Sequence, residues 1–247
     1  MKKDINEFKN IHKNERCFIM GNGPSLGHID FKKLEAEITF GCNKIFMLPE
    51  ASIKYYVIID DKDALEAYED ILKLECDYKF ILTQHKLFKG KKRIILVRSG
   101  WPNPFNRIKT GKYVNLIKHV YDGLLGRPMF SFNPNHVVYR AGVLYSMLQI
   151  AVHMGCNPIY LLGQDWYYFR DIKDDRAQHF CEGYHKKISS KEKMSHMFYA
   201  YFGLRKRNKY MKYANKILNK QNIHIINLTE GSKLDAFVKK DIGGVIS

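Results

Sequence analysis

The sequence lacks the segments that would carry a protein into or across a membrane. No run of about 18 apolar residues, the length that spans a bilayer, occurs in its 247 residues. The first residues, Met1-Lys2-Lys3-Asp4, do not lead into the apolar stretch of a secretory signal. We therefore expect a cytoplasmic protein.

Cysteine is scarce, and its five copies are odd in number and scattered. No two of them form a Cys-x-x-Cys pair, so the sequence predicts neither a disulfide framework nor a structural zinc site. We expect no metal site, and a reducing compartment fits this pattern.

Acidic residues are also few, with 25 Asp and Glu against 41 Lys and Arg, for a net charge of +16. A charge of this size indicates an anionic partner: nucleic acid, a membrane surface, a phosphorylated substrate or an anionic glycan. Much of the excess lies between Lys186 and Lys220, where eleven basic residues accompany one acidic residue, Glu192.

The apolar residues, 45% of the chain, are enough for a substantial core. Short apolar runs that end at glycine or polar residues predict strands at residues 16–20, 38–40, 55–59, 79–82, 93–97, 158–163 and 223–227. Helical spacing predicts helices at residues 63–76, 141–154, 191–219 (interrupted near Gly203) and 234–239. This alternation predicts an α/β fold, a single Rossmann-like domain with a mainly parallel sheet flanked by helices.

Ligands of such folds bind beyond the carboxyl ends of the strands, so the residues that follow each strand are the candidates. The turn Gly21-Asn22-Gly23-Pro24-Ser25-Leu26 follows the first strand. Its glycines let backbone amides approach an anion, and Ser25 can add a hydroxyl donor; a tight turn that needs glycine is the structural alternative. No Gly-Lys-Ser/Thr follows, so this is not a Walker P-loop.

Polar residues also follow the second and sixth strands. Asn43 offers a donor and an acceptor to a base or sugar, or it satisfies a turn. Gln164 and Asp165 precede three aromatic residues, 166–168, which suit the wall of a sugar or base site or pack onto the core.

Three further residues have side chains suited to chemistry or phosphate binding. His179 and His185 are candidates for acid–base chemistry because imidazole titrates near neutral pH, although many surface histidines have no such role. Ser232, after the last strand, can cap a following helix or bind phosphate at its N-terminus.

Taken in this order, these segments resemble the bacterial sialyltransferases of glycosyltransferase family 42 and the wider hydroxymethylpterin pyrophosphokinase-like group. The resemblance runs from about Arg16 to Phe237. The segments that carry it are Ile19-Met20-Gly21-Asn22-Gly23-Pro24-Ser25-Leu26, Cys42-Asn43, Ala141-Gly142-Val143-Leu144, Ile159-Tyr160-Leu161-Leu162-Gly163-Gln164-Asp165-Trp166-Tyr167, His179-Phe180 and residues 227–234.

The resemblance implies a GT-A-like sialyltransferase variant of the fold and an inverting transfer of an acidic sugar. The donor would be CMP-linked sialic acid or a related nonulosonate or Kdo, and the acceptor a glycan or lipid-linked glycan of lipopolysaccharide or capsule. No cofactor beyond this co-substrate is required. Residues 1–15 would be an N-terminal extension, residues 16–240 the nucleotide-sugar-binding domain, and residues 164–220 a helical insertion that forms a lid on the acceptor side.

The resemblance also assigns roles to individual residues. It places Asn22, Gly23, Ser25 and Asn43 at the nucleotide, Tyr167 at the leaving phosphate, and His185 or His179 as the base that deprotonates the acceptor. Together with the strand-end residues, the nucleotide-binding candidates are Gly21, Asn22, Gly23, Ser25, Asn43, Gly142, Gln164, Asp165, Tyr167 and Ser232.

The pattern departs from the sialyltransferases at two positions. Arg140-Ala141-Gly142 stands where they have Thr-Ser-Gly, and Val138 replaces an upstream arginine. Arg140 is a candidate charge partner for the substrate, or an ordinary residue at a helix start.

Two other functions stay open. A pterin pyrophosphokinase-like enzyme would use ATP and Mg²⁺, for which Asp60, Asp61 and Asp165 are candidate ligands, although we favour a helix cap for the first two. A basic nucleic-acid-binding protein ranks last because no binding signature accompanies the charge, and we expect no nucleic acid partner. The basic segment from Lys186 to Lys220 would instead face an anionic acceptor or the inner membrane surface, and the oligomeric state stays open.

Overall fold

The computed structural model describes residues 4–82, 86–97, 128–133, 137–138, 141–166, 180 and 190–246, with the backbone alone at residues 190–202 and 204. These residues form one sheet of eight parallel strands in the order β5-β4-β3-β2-β1-β6-β7-β8. The strands are β1 Cys17–Met20, β2 Ile38–Cys42, β3 Tyr55–Ile58, β4 Tyr78–Ile81, β5 Ile94–Leu96, β6 Ile159–Leu162, β7 Ile225–Asn227 and β8 Val238–Lys239.

The predicted α/β fold is confirmed, and the first seven strands lie within two residues of their predicted bounds. The last predicted helix, at residues 234–239, is wrong, because this segment runs without a helix into β8, which pairs with β7. Burial of Ser232, Leu234 and Ala236, with Lys233 and Asp235 exposed between them, has the period of two that extended chain requires.

Four α-helices occur in the described part of the chain: α1 Asp61–Glu66, α2 Tyr68–Lys73, α3 Val143–His153 and α4 Ser190–Asn219. The single helix predicted at residues 63–76 is therefore two short helices, α1 and α2, that meet at Ala67. Helix α4 continues through Gly203, where an interruption was predicted, because one interior glycine costs a helix only about 1 kcal/mol.

A hydrophobic layer covers each face of the sheet because side chains alternate along every strand. In β1, Cys17 and Ile19 point to the face that packs against α3 and α4. Phe18 and Met20 point to the face covered by α1, α2 and the 3₁₀ helices Pro24–His28, Phe31–Leu34, Ile45–Met47 and Lys86–Phe88.

The N-terminal segment packs onto the face that carries α3 and α4. Its 3₁₀ helix, Ile5–Phe8, buries both end residues, and Phe8 meets the Phe80 ring edge-on at 5.2 Å between centroids. The His153 ring nitrogen Nε2 donates to the Ile5 carbonyl oxygen at 3.0 Å, and burial lowers the pKa of this histidine. A neutral imidazole therefore ties the N-terminal segment to the end of α3.

Helices α3 and α4 both begin at the carboxyl edge of the sheet, since each one leads into the next parallel strand by a crossover on the same face. Their N-terminal ends thus share this edge with the turns that follow the strands. Among the described residues, no helix has both the length and the apolar character needed to cross a bilayer.

Candidate functional site

The strand order reverses between β1 and β6. Strands β2 to β5 extend from β1 in one direction, and β6 to β8 extend in the other. The connections on the two sides of such a point diverge, which leaves a crevice beyond the carboxyl ends of the two strands. The turn after β1 and the residues after β6 are therefore neighbours at the position where open α/β sheets bind ligands.

These two connections interlock through their backbones. The Gly21 amide donates to the Leu162 carbonyl at 2.8 Å, and the Gly23 amide to the Gly163 carbonyl at 3.0 Å. A Cβ on Gly21 would lie 2.6 Å from Gln164 Nε2, and one on Gly23 would overlap the carboxylate of Asp165, whose Cγ would be 2.5 Å away. Neither residue has a positive φ angle. Glycine is therefore required here because the two connections approach closely, and not because of its backbone conformation.

A buried carboxylate accepts hydrogen bonds from Ser25 of the glycine turn. The Ser25 amide donates to Asp165 Oδ1 at 3.2 Å, and the Ser25 hydroxyl to Asp165 Oδ2 at 2.8 Å. Asp165 is only 3% exposed, and burial raises the pKa of its carboxyl, while the bonds from Ser25 act in the opposite direction. The Ser25 donors expected to face a phosphate are thus engaged by a group of the same chain.

A buried polar network supports the end of β6 from the side of β7. The backbone amide of Gln164 donates to Thr229 Oγ1 at 3.0 Å, and the Ser232 hydroxyl donates to the backbone carbonyl of Gln164. Ser232 Oγ also accepts from Asn227 Nδ2 at 3.0 Å and from the Leu234 amide at 3.1 Å. In this structure Ser232 is 4% exposed and lies at no helix N-terminus, so its hydroxyl serves the network.

Partly exposed residues form the rim of the crevice. Asn22 donates through Nδ2 to the Cys42 carbonyl at 3.2 Å, which links the turn to the end of β2. Asn43 has a φ of 49°, and its carbonyl accepts the Tyr56 hydroxyl at 2.6 Å. Trp166 has a φ of 54° and lies on the other side of the turn. The rim thus combines the amide of Asn43 with a half-buried indole.

Four of the predicted site residues lie outside the described residues: His179, His185, Tyr167 and Arg140. Phe180 is described, and its amide donates to the Asn22 carbonyl at 3.2 Å. This bond connects the chain beyond β6 to the rim of the crevice.

The carboxylates considered for Mg²⁺ are far apart. Asp60 accepts from the amides of Lys62 and Asp63 at 2.9 and 3.1 Å, so its prediction as a helix cap is confirmed. Asp60 follows β3 and Asp165 follows β6, and three strand intervals of about 4.8 Å separate these strands by about 14 Å. Within the described ranges, no three His, Cys, Asp or Glu side chains are grouped to hold a metal ion.

Arg207, on α4, is a residue of this edge that the motifs did not indicate. Its Cδ and Nε atoms are each 3.8 Å from the position of a Cβ on Gly142, the residue that caps α3 with a φ of 90°. Arg207 is exposed to solvent, yet the protein around it lowers the pKa of its guanidinium. The sequence signal that could have indicated Arg207 is a basic residue on the side of α4 that is otherwise apolar.

Comparisons with known proteins returned no match at a stringent significance level, either among family models, curated proteins or solved structures. The family resemblance of the motifs therefore stays a prediction.

We predict that Gly23→Ala destabilises the protein by about 2–3 kcal/mol, because the new methyl group forces the Asp165 carboxylate from its hydrogen bonds. Gly27→Ala is the matched control. It lies in the same segment, and a Cβ there meets no atom within 4 Å, so we expect a change below about 0.5 kcal/mol. Urea unfolding of both variants measures this, and equal effects would contradict the predicted contact.

We predict that the buried carboxyl of Asp165 makes stability fall as pH rises. A carboxyl whose pKa is raised above its ordinary 3.8 keeps a proton in the folded state after the unfolded chain has lost it. The stabilisation that this carboxyl contributes is complete below pH 3.8 and is lost as the pH rises through the raised pKa of the folded state. The free energy of unfolding of wild type minus that of Asp165→Asn should decline across this range, and a difference that stays constant with pH would contradict the prediction.

Proposed function

We propose that the protein is a glycosyltransferase that moves an acidic sugar, sialic acid or a related nonulosonate or Kdo, from a CMP-linked donor to a bacterial surface glycan. The observation that carries the proposal is the crevice between β1 and β6, where a turn with no room for a side chain at Gly21 or Gly23 meets a polar and aromatic rim. This geometry supports nucleotide binding in an α/β sheet. The choice of cytidine comes from the resemblance of the motifs.

The rim supplies the kinds of group that a nucleoside needs. The partly exposed Asn43 side chain can both donate and accept, as the edge of cytosine and the ribose hydroxyls require. The half-buried Trp166 offers an aromatic face for a base or sugar. Its indole nitrogen donates to Gln164 Oε1 at 3.3 Å, which holds the ring in place.

The proposed reaction needs one base and no metal. The acceptor oxygen forms a bond to the anomeric carbon while the bond from that carbon to the CMP phosphate oxygen breaks, with inversion. The acceptor proton passes to His185 or His179, and the electron pair leaves with CMP. Tyr167 would donate to the departing phosphate, where negative charge develops.

The pyrophosphokinase alternative has less support from the described geometry. It requires carboxylates that share Mg²⁺ between them, whereas Asp60 and Asp165 follow strands about 14 Å apart. The oxygens of Asp165 also accept from Ser25, and Asp60 caps α1. Nothing among the described residues favours this chemistry over sugar transfer.

The protein would act at the inner membrane surface, where lipid-linked glycans are made. Four exposed basic residues of α4 and Lys220, directly after its end, lie four, three, four and four residues apart and so occupy one side of the helix. We name them the basic face: Arg205, Lys209, Lys212, Lys216 and Lys220. The opposite side of α4 is buried in the core through Tyr210, Met211, Ala214 and Leu218.

The basic face suits a flat anionic surface better than it suits nucleic acid. It is convex, four of its five residues are lysines, and in the described part of α4 no exposed aromatic ring accompanies them. Nucleic acid sites combine a groove with arginine forks or stacking aromatics. The ion pair of Lys212 with Asp235, at 3.1 Å, is exposed and therefore weak.

We predict that CMP and CDP stabilise the protein without added metal. At a hundredfold excess over Kd, binding adds about 2.7 kcal/mol, or about 5–10 °C in Tm. His185→Ala should keep this stabilisation but lose transfer from a CMP-sugar by at least about 100-fold, because a base acts on the acceptor and not on nucleotide binding. The measurements are thermal unfolding and CMP release with a panel of glycan acceptors.

UMP and ATP–Mg²⁺ are the controls for the nucleotide, and His179→Ala is the matched variant for the base. Stabilisation by ATP–Mg²⁺ alone would overturn the proposed function. Full transfer by both histidine variants would show that the base is a different group.

We also predict that the protein binds vesicles containing about 30% anionic lipid and that Lys209, Lys212, Lys216 and Lys220→Gln together weaken this binding by roughly 100-fold or more. Each charge near such a surface contributes about 1 kcal/mol, and the effect should fade as salt is raised. Co-sedimentation with vesicles measures the partition.

The matched control removes the same charge at the other edge of the sheet, through Lys86, Lys89, Lys91 and Lys92→Gln, all exposed residues beside β5. An equal loss in this control would assign the attraction to net charge. Binding of a single-stranded RNA through the basic face, with no binding to vesicles, would favour the nucleic acid alternative.

A further inference from the structure

Arg207 occupies a position of α4 that its neighbours use for apolar packing. Met211, Ala214 and Leu218 follow it at four, seven and eleven residues, so all four lie on the inner side of the helix. The other three are 0% exposed, whereas Arg207 is exposed. An inner side chain can reach solvent only where the helix passes the edge of the layer beneath it.

The length of α4 places Arg207 at the carboxyl edge. Twelve residues separate it from the end of the helix at Asn219, which is about 18 Å at 1.5 Å per residue. A four-residue strand is only about 13 Å long. The contact with Gly142 agrees with this estimate, because Gly142 caps the end of α3 that lies at the same edge.

The surroundings of Arg207 are electrostatically unfavourable for a cation unless an anion joins them. The N-terminus of α3 carries a partial positive charge from its aligned peptide dipoles, and Arg207 lies beside it. Arg207 forms no hydrogen bond or ion pair with any described residue. The surrounding protein keeps water from the guanidinium and thereby lowers its pKa, so the charged form is less stable there than in water. Arginine nevertheless stays charged at every physiological pH.

The Ser25 donors of the glycine turn are already used. Asp165 accepts both hydrogen bonds from Ser25, and its carboxylate would repel an anion at the glycine turn. Arg207 and the start of α3 lie together at this edge, and both offer positive charge to a bound anion.

We propose that Arg207 binds the phosphate monoester of the nucleotide, against the N-terminus of α3. This inference rests on the proposed function for its ligand, CMP, and on the geometry of α3 and α4 for its place. The nucleoside would then lie toward Asn22 and Asn43, and the phosphate across the crevice toward Gly142. A planar guanidinium can donate two parallel hydrogen bonds to phosphate oxygens.

The experiment compares CMP with cytidine in the full-length protein by isothermal titration. Arg207→Gln should weaken CMP binding by about 10- to 100-fold and leave cytidine binding unchanged, because only the phosphate loses a charged partner. Arg205→Gln is the matched control. It removes the same charge two residues away on the outer side of α4, so both affinities should stay within about twofold of wild type.

Each outcome separates the two proposals. Equal CMP binding by wild type and Arg207→Gln overturns the role of Arg207 while leaving the proposed function intact. An equal loss in Arg205→Gln also overturns it, since bulk charge would then explain the effect. If wild type binds no cytidine nucleotide, the proposed function fails, and inorganic phosphate becomes the probe of the anion site. Thermal stabilisation by phosphate that disappears in Arg207→Gln would then support an anion site at Arg207. Any other result would rule out this site.

Discussion

The contact between Asp165 and Ser25 is the constraint on which the rest of the site depends. A carboxylate that leaves water is tolerated inside a protein only where hydrogen bonds replace its hydration. The Ser25 amide and hydroxyl supply them, and they thereby fix the turn after β1 to the end of β6. Glycine at position 23 follows from this contact, because any side chain would fill the volume that the carboxylate occupies.

This arrangement changes what the glycine turn can do. A turn of this type is expected to present free donors to a phosphate. Here its serine faces a negative charge fixed within the protein, while a cation and the start of a helix, Arg207 and α3, lie elsewhere along the same edge. The crevice therefore has a negative charge at the glycine turn and positive charge beside α3. In the proposed complex this difference would orient the nucleotide with its phosphate toward α3.

Seven strands could be predicted from the sequence because buried parallel strands are continuous apolar runs, a property that needs no knowledge of distant partners. Strand β8 could not, since its two residues are exposed and are strand only through pairing with β7. The same distinction holds at the site. Its strand-end candidates followed from the fold class, whereas the bond between Asp165 and Ser25 joins residues 140 positions apart, which only the strand order brings together. The placement of Arg207 likewise depends on the length of α4 relative to the sheet.

Helix α4 directs positive charge to two different surroundings through residue spacing alone. Arg205 and Arg207 are two residues apart, which separates them by about 3 Å along the helix but turns them about 200° around it. Arg205 belongs to the basic face, where salt screens each charge within about 8 Å and only a surface with many charges binds well. Arg207 lies against α3, where the surrounding protein screens less and a single anion interacts strongly. A net charge of +16 therefore cannot identify one partner, because charges on one helix can serve a substrate on its inner side and a membrane on its outer side.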